Sequence, residues 1–308
     1  MKFAGIIAEY DPLHNGHAWQ LAQAKALGAE RVAVAMSCSL VQRGALPLLP
    51  EAVRTRSALT CGADLVFALP APCACAGAEA FARAGVALLA AAGCDGLVFG
   101  AETPDAALLM EAAELLDSGS YRAALKAQLA GGARSFAAAR QAAAAQLASD
   151  ERVAALLDKP NNNLAVEYCR AIRSLAPRME AYPLPRQGAN HGEALHSAHG
   201  QFASASALRK LWAEGGADAV APYVPEAVFP LYQEAYAAGQ YTDFSAAGRC
   251  ELALLRSACR GKAPFADIRG VSEGLEHRLE AAVRTSTTYD ELLDALTTVR
   301  YQIGRAHV

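Results

Sequence analysis

Residues 3–20 read FAGIIAEYDPLHNGHAWQ, and the fold turns on how that run divides. KFAGIIAEY (2–10) has an apolar centre without polar alternation and reads as a buried strand. His14-Asn15-Gly16-His17 follows, and the spacing predicts a helix over 17–27. The alternation then repeats. RVAVAMS (31–37), ADLVFALP (63–70) and CDGLVFG (94–100) read as strands, the third stopped by Pro70. EAVRTRSALTCG (51–62), with Gly62 as its C-cap, and AEAFARAGVALLAAAG (78–93) read as helices. Apolar strands separated by helices specify an α/β fold with a doubly wound parallel sheet. Ligands of such sheets sit beyond the carboxyl ends of the strands, near the switch point. DPLHNGH, SCSLVQRG and GAE each follow a strand and belong there.

Beyond Pro104 the chain reads as helical and alanine-rich to about Asp158. KPNNNLAVEYCRAI (159–172) enters another helix, MEAYPLP (179–185) reads as a last strand, and residues 186–201 read as a loop. FASASALRKLW (202–212) carries serines suited to a helix N-cap. The remainder reads as helical, with a soft boundary near 215–240. We expect a catalytic domain over 1–215, with a helical insertion at about 104–158, and a helical C-terminal region over 216–301. Residues 303–308, IGRAHV, match a translated sequencing-library adapter (ATC-GGA-AGA-GCA-CAC-GTC, then TGA). The expectation is that native sequence stops near Tyr301 and that 302–308 form a non-native tail, so His307 is given no role.

The 308 residues are 53% hydrophobic and 19% charged, which excludes a disordered chain. A net charge of −3 makes no general case for nucleic acid, so any RNA surface must be a local patch. Eight cysteines without a C-x-x-C pair predict reduced, buried thiols of a cytosolic protein. No apolar run is long enough to span a membrane.

His14 and His17 sit where a strand becomes a helix, a natural phosphate site with N–H groups and a positive dipole end. Gly16 lets phosphate approach the backbone. Two imidazoles three residues apart can stabilise charge that grows as pyrophosphate leaves. Ser204 and Ser206 open a later helix, where hydroxyls and N–H groups can hold phosphate oxygens and Arg209 can add a bidentate contact. No general base is evident. A carboxylate, ionised at neutral pH, needs none to attack phosphorus.

H-x-G-H with a late S-x-S-x-x-R helix start resembles the HIGH nucleotidyltransferase superfamily. The order of GIIAEYDPLHNGH, MSCSLVQRG, GADLVFALP, FGAE, KPNNNLAVEY, FASASALRK and GVSEGLEHRL resembles, more narrowly, the tRNA(Met) cytidine acetate ligase family. That resemblance implies a Rossmann-like nucleotidyltransferase domain followed by a helical, tRNA-binding part. It implies activation of acetate by ATP to acetyl-adenylate, then acetylation of N4 of the wobble cytidine of elongator tRNA(Met). Mg2+ is expected with the triphosphate, and the sequence shows no ligands for it. The ATP site would be lined by Ile7, Ala8, Glu9, Tyr10, Asp11, Pro12, Leu13, His14, Asn15, Gly16, His17 and Gln20. Gly100, Asn162 and Arg186 would complete it, with Asn161 as the substitute for Asn162 within the asparagine triplet. Gln42 and Arg43, in the family's Q-R-G, are expected near substrate or phosphate. Cys38 stands where the family has glycine and is expected to narrow the pocket. Ala52-Val53 replaces the family's Lys-Trp pair, removing a lysine suited to phosphate or RNA. These departures leave open a catalytically impaired nucleotide- or RNA-binding protein. An adenylyltransferase or acetate ligase with another acceptor is the enzymatic alternative.

His191, His196 and His199 have no trusted metal-ligand spacing, and neither do Cys73 and Cys75, so no protein metal site is expected. In RCELALLRSACRGK, Arg249, Arg256 and Arg260 fall on one helical face with Lys262 beyond, a candidate phosphate-facing stripe. The sequence does not fix the oligomeric state.

Overall fold

The computed structural model describes residues 1–42, 44–132, 135–185, 195–197, 200–260, 265–268, 271 and 274–297, with side chains 195–197, 200 and 201 left aside. The chain opens with β1 (Phe3–Ala8), α1 (Asn15–Ala26), β2 (Arg31–Ser37), α2 (Glu51–Thr60) and β3 (Leu65–Leu69). The one-turn α3 (Ala71–Ala74), α4 (Ala78–Ala91) and β4 (Gly96–Ala101) follow. An all-helical stretch comes next: α5 (Ala106–Asp117), α6 (Gly119–Ala130), α7 (Phe136–Leu147) and α8 (Glu151–Leu156). Then come α9 (Pro160–Leu175) and β5 (Glu180–Pro185). An antiparallel pair, β6 (Leu195–Ser197) and β7 (Gly200–Phe202), leads to α10 (Ala205–Ala219), α11 (Phe229–Ala237), α12 (Phe244–Ala258), α13 (Leu275–Thr285) and α14 (Tyr289–Leu296). This pair corrects the expected loop over 186–201. A run of Gly, His and Ser hides strands that owe their pairing to context.

The main sheet runs β3-β2-β1-β4-β5, with every pair parallel. The order reverses between β1 and β4, which is the switch point. There the pairing itself makes the opening. β1 pairs with β2 from Phe3 to Ala8, but with β4 only at Ala4 and Gly5. The two strands therefore part toward their carboxyl ends.

One hydrophobic cluster lies under α4, α5 and α9 and includes Val86, Leu89, Leu97, Leu109 and Val166. A second lies under α1, α2, α10 and α11 and includes Ile6, Leu21, Val34, Met36, Leu208 and Tyr232. Strands buried on both faces explain why β1 and β2 show no polar alternation.

Hydrophobic packing runs straight through the expected boundary at 215. Ala217, Val220, Val224, Val228, Tyr232 and Ala235 share a cluster with Leu13, Leu21 and Ala58. Gly216 permits this. Its φ is +68°, and an added Cβ would lie 2.6 Å from Tyr236 Cζ. A separate core built on Leu252, Phe265, Val283 and Leu292 holds α12 to α14 together. Just before α12, Thr242 is anchored on Pro47 and Leu48.

The eight cysteines are free. Cys38, Cys94, Cys169 and Cys259 are buried, as expected, whereas Cys61, Cys73 and Cys75 are half-buried and Cys250 is exposed. Among the described residues no helix is long and apolar enough to cross a membrane.

Candidate active site

A cleft of about 310 Å3 opens where β1 and β4 part. Its floor is the switch point, and Gln20 spans it by donating from Nε2 to the Val98 carbonyl at 3.1 Å. That bond satisfies a strand carbonyl in the unpaired part of β4.

The two histidines build the start of α1. His14 is the N-cap, in extended conformation, and its Nδ1 accepts the Gly16 N–H at 3.1 Å. His17 Nδ1 accepts the His14 N–H at 3.3 Å. Side chains thus cap the helix reciprocally, as Ser and Glu do in an ordinary capping box. This is why α1 begins at Asn15 and not at the predicted His17. The rings stack at 3.8 Å with 22° between their planes, and Tyr10 packs edge-on to His17 at 5.0 Å. Because each Nδ1 accepts a backbone N–H, each neutral ring carries its proton on Nε2. Both residues line the cleft.

Gly16 lines the cleft, as expected, and its local contacts add a second role. Its N–H is taken by His14, so it is not an open phosphate donor. What matters is its missing side chain. A Cβ there would lie 2.9 Å from His14 Cε1 and 3.1 Å from Nδ1. Gly16 makes room for the imidazole stack.

Across the cleft, Ser204 caps α10 by accepting the Ala207 N–H at 3.2 Å, and its Oγ lies 3.0 Å from Ser206 Oγ. The N–H groups of Ala205 and Ser206, in the first turn, have no intrahelical acceptor. Arg209 Nη1 donates to the Asp11 carbonyl at 2.7 Å and to Asp11 Oδ2 at 3.1 Å. Asp11 is 3% exposed, and its Oδ1 accepts the Leu48 N–H at 2.6 Å. Burial raises its carboxyl above the ordinary range, opposed by Arg209, the Leu48 N–H and Arg54. Asp11 thus ties Arg209 to the loop that carries the histidines.

The same Pro47–Leu48 peptide is gripped on its other side. Thr242 Oγ1 donates to the Pro47 carbonyl at 2.6 Å. Arg54, fully buried on α2, holds the strand ends beneath. Its guanidinium donates to the carbonyls of Leu49 (2.9 Å), Glu9 (2.8 Å), Ser37 (2.6 Å) and Cys38. Burial lowers its pKa, and Asp11, Cys38, Glu51 and Glu9 oppose that. Sequence reasoning missed Arg54, since a mid-helix arginine reads as solvated surface.

Ile7, Ala8, Glu9, Tyr10, Asp11, His14, Gly16, His17, Gln20, Gln42, Gly100, Asn161, Ser204, Ser206 and Arg209 all line the cleft. Glu9 Oε1 accepts the Gln42 N–H at 2.6 Å, which joins the loops after β1 and β2. Gly100 lies at the end of β4, and a Cβ there would meet nothing within 4 Å. Four expected residues turn elsewhere. Pro12 and Leu13 are buried, and the Leu13 carbonyl accepts from Tyr232 Oη at 2.8 Å. Asn15 Nδ2 reaches the Pro222 carbonyl at 3.3 Å. Asn162 is 1% exposed and clips Thr103, accepting its N–H at 2.9 Å and donating to its Oγ1 at 3.2 Å. Asn161 faces the cleft, and Glu102 accepts the N–H groups of both asparagines. FGAE and KPNNN therefore meet as cap and helix end. Arg43 and Arg186 lie outside the described residues, as do Lys262, His191, His199 and the tail 302–308; His196 is described in its backbone alone.

Cys38 does not narrow the cleft. Its thiol turns down into the second cluster and lies 3.2 Å from the Met36 carbonyl. Burial, with the charge of Glu51, pushes it up to about 11, so it stays protonated. Ala52 is exposed on α2, Val53 is buried, and neither lines the cleft. The expected arginine stripe divides. All three arginines are exposed, but Arg256 donates to the carbonyls of Val283 (3.2 Å) and Ser286 (2.5 Å) and caps the end of α13, while Arg249 donates to Ser245 Oγ at 2.7 Å. Trp19, Phe81, Phe99, Leu164 and Tyr168 also line the cleft and were not anticipated. In sequence they read as ordinary apolar faces. Among the described residues no three His, Cys, Asp or Glu side chains converge on one point.

The HIGH Nucleotidyl Transferase family pattern matches residues 1–307. The tRNA(Met) cytidine acetate ligase of Syntrophotalea carbinolica is 36% identical, covering 96% of this chain and 70% of its own length. The chain belongs to the tRNA(Met) cytidine acetate ligase family. A further ligase of that family, from Latilactobacillus sakei, is 34% identical over 99% of this chain and 74% of its own length. Among solved structures, apo TmcAL of Thermotoga maritima superposes with a TM-score of 0.90 at 30% identity, covering 99% of this chain and 73% of that one. The same Thermotoga protein bound to alpha-thio ATP gives a TM-score of 0.88 at 29% identity, covering 99% and 72%. Thermotoga TmcAL and this chain thus share the fold that carries the cleft.

Proposed function

We propose that this chain is an ATP-dependent ligase that activates acetate as acetyl-adenylate and acetylates N4 of the wobble cytidine of elongator tRNA(Met). The observation that carries the reading is the stacked His14–His17 pair, facing Arg209 and the start of α10 across one cleft. ATP would lie with its triphosphate between them. An acetate oxygen attacks the α-phosphorus. The bond from phosphorus to the α,β-bridging oxygen breaks, and pyrophosphate leaves with its added negative charge. Donors on both sides meet that charge as it develops. Arg209 supplies the cation, and Asp11 fixes its direction. In the second step the cytidine amine attacks the acetyl carbon, AMP departs and one proton is released. The binding of the ATP analogue by the Thermotoga relative supports the nucleotide part of this reading, and the names of the curated relatives support the acceptor.

Mg2+ would enter on the triphosphate, with water completing its shell. The donor set here fits that mode and not a protein cage, since Asp11 is committed to Arg209 and Leu48. The region after residue 244 would meet tRNA through exposed Arg249 and Arg260. The protein would act in the cytoplasm, where tRNA is modified.

Acetate-dependent exchange of pyrophosphate into ATP tests the first step, and mass spectrometry of N4-acetylcytidine in tRNA(Met) tests the second. His14→Ala or His17→Ala should slow exchange about 100-fold while ATP affinity falls less. Exchange that needs a mononucleotide and not acetate refutes the ligase reading.

A further inference from the structure

The cleft has two unlike limbs. The histidines, Ser204, Ser206 and Arg209 belong to the α1 and α10 side of the sheet. On the other side, Ile7 at the end of β1, Phe81 on α4, Phe99 on β4, and Leu164 and Tyr168 on α9 line a crevice. These five side chains belong to the cluster under α4 and α9. Among the described residues no lysine, arginine or histidine lines that limb. Phe81, Phe99 and Tyr168 are nearly fully buried, and the Phe99 and Tyr168 rings lie 5.4 Å apart.

Tyr168 is the exception to this apolar character. Its side chain is 4% exposed and lines the cleft, and no hydrogen bond to a described residue occupies its hydroxyl. A hydroxyl open to a cleft can donate to a ligand there. Burial, with Glu9 nearby, pushes its pKa up, so it remains a donor.

The geometry points to this limb as the acid pocket, in which Ile7, Phe81, Phe99 and Leu164 enclose the hydrocarbon end of a short carboxylic acid and the Tyr168 hydroxyl orients its carboxylate. The inference rests on the ligase reading and deepens it. Orientation follows from charge. A carboxylate buried among these side chains without a cation would be strongly disfavoured. The methyl end must therefore point inward and the carboxylate outward, toward the α-phosphate held near His14 and His17. Tyr168 would hold one carboxylate oxygen while the other attacks. Leu164 and Phe81, in contact with the hydrocarbon end, would then set the chain length accepted and act as specificity determinants.

The test compares acetate, propionate and butyrate in the pyrophosphate exchange reaction, with full-length wild type, Leu164→Ala, Phe81→Leu and Tyr168→Phe. Leu164 is half-buried, so its truncation leaves the fold in place, and Phe81→Leu gives an independent enlargement. One methylene in a shaped pocket changes selectivity by about 10-fold or more. The butyrate-to-acetate ratio of kcat/KM should rise at least about 10-fold in Leu164→Ala and in Phe81→Leu. Tyr168→Phe should raise KM for acetate by about 10-fold and leave KM for ATP near wild type. Unchanged acid selectivity together with a raised KM for ATP would overturn the inference and assign the limb to the nucleotide, with the ligase reading intact. Wild-type exchange that ignores all three acids would overturn both.

Discussion

Gly16→Ala separates catalysis from stability at a single methyl group. The added Cβ would sit 2.9 Å from His14 Cε1 and 3.1 Å from Nδ1. To reach ordinary contact the imidazole must retreat by roughly 0.5–1 Å. That movement breaks the 3.1 Å bond from the Gly16 N–H and opens the 3.8 Å stack on His17. One donor is then misplaced at the α-phosphate, a loss of about 100-fold in rate. The fold has little reason to suffer. Alanine is the better helix former, by up to about 1 kcal/mol, and this gain offsets the weakened cap. The melting temperature should stay within about 4 °C of wild type. Acetate-dependent pyrophosphate exchange measures the first quantity, and thermal unfolding followed by circular dichroism the second. A folded Gly16→Ala protein with wild-type exchange would refute the view that the stack is what the glycine protects.

Arg209→Ala leaves Asp11 buried without its cation, and should destabilise the fold by about 3 kcal/mol near neutral pH. The pH dependence follows from the sign of the Asp11 shift. Its folded pKa is raised, so between its unfolded and folded values the folded state holds more protons, and stability falls as pH rises through that window. Removing Arg209 raises that pKa further, so denaturant titrations should show the deficit growing with pH and shrinking as Asp11 protonates. Arg54→Lys cannot reach the carbonyls of Leu49, Glu9, Ser37 and Cys38 together, and should lower unfolding free energy by about 2–4 kcal/mol in urea. Arg260→Glu should weaken tRNA binding and lower its salt dependence by about one counterion, whereas Arg256→Gln should mainly destabilise the α12–α14 core. Filter binding at several salt concentrations, paired with thermal melts, distinguishes them.

The strands and their order of chemistry were legible because they are buried on both faces. Continuous apolar runs such as RVAVAMS have no other common reading. That the two motifs line one cleft was legible because H-x-G-H follows a strand and the paired serines start a helix, which placed both at element ends. What escaped was set by contacts distant in sequence. Arg54 looks like surface until the carbonyls of Glu9 and Leu49 surround it. Tyr168 looks like a core aromatic in an amphipathic helix until its hydroxyl proves open to the cleft. Asn162 and Asn161 are indistinguishable in a triplet, and only the Glu102 and Thr103 contacts decide which of them turns away from the cleft. Alanine-rich helices fit either face, which blurred the domain boundary that Ala217 and Ala235 carry across residue 215.

The Pro47–Leu48 peptide shows how the two ends of the chain are kept in step. Its N–H holds the aspartate that aims Arg209, and its C=O is held by Thr242 at the root of the last helices. Each bond draws electron density along the amide in the same direction, so each strengthens the other. This coupling is written in main-chain atoms. Substitution at Leu48 by any residue with a backbone N–H can alter packing there but leaves the link in place; only proline would remove the N–H. The aim of Arg209 is thus referenced to a threonine far outside the H-x-G-H and S-x-S-x-x-R motifs, and the two regions share one ruler.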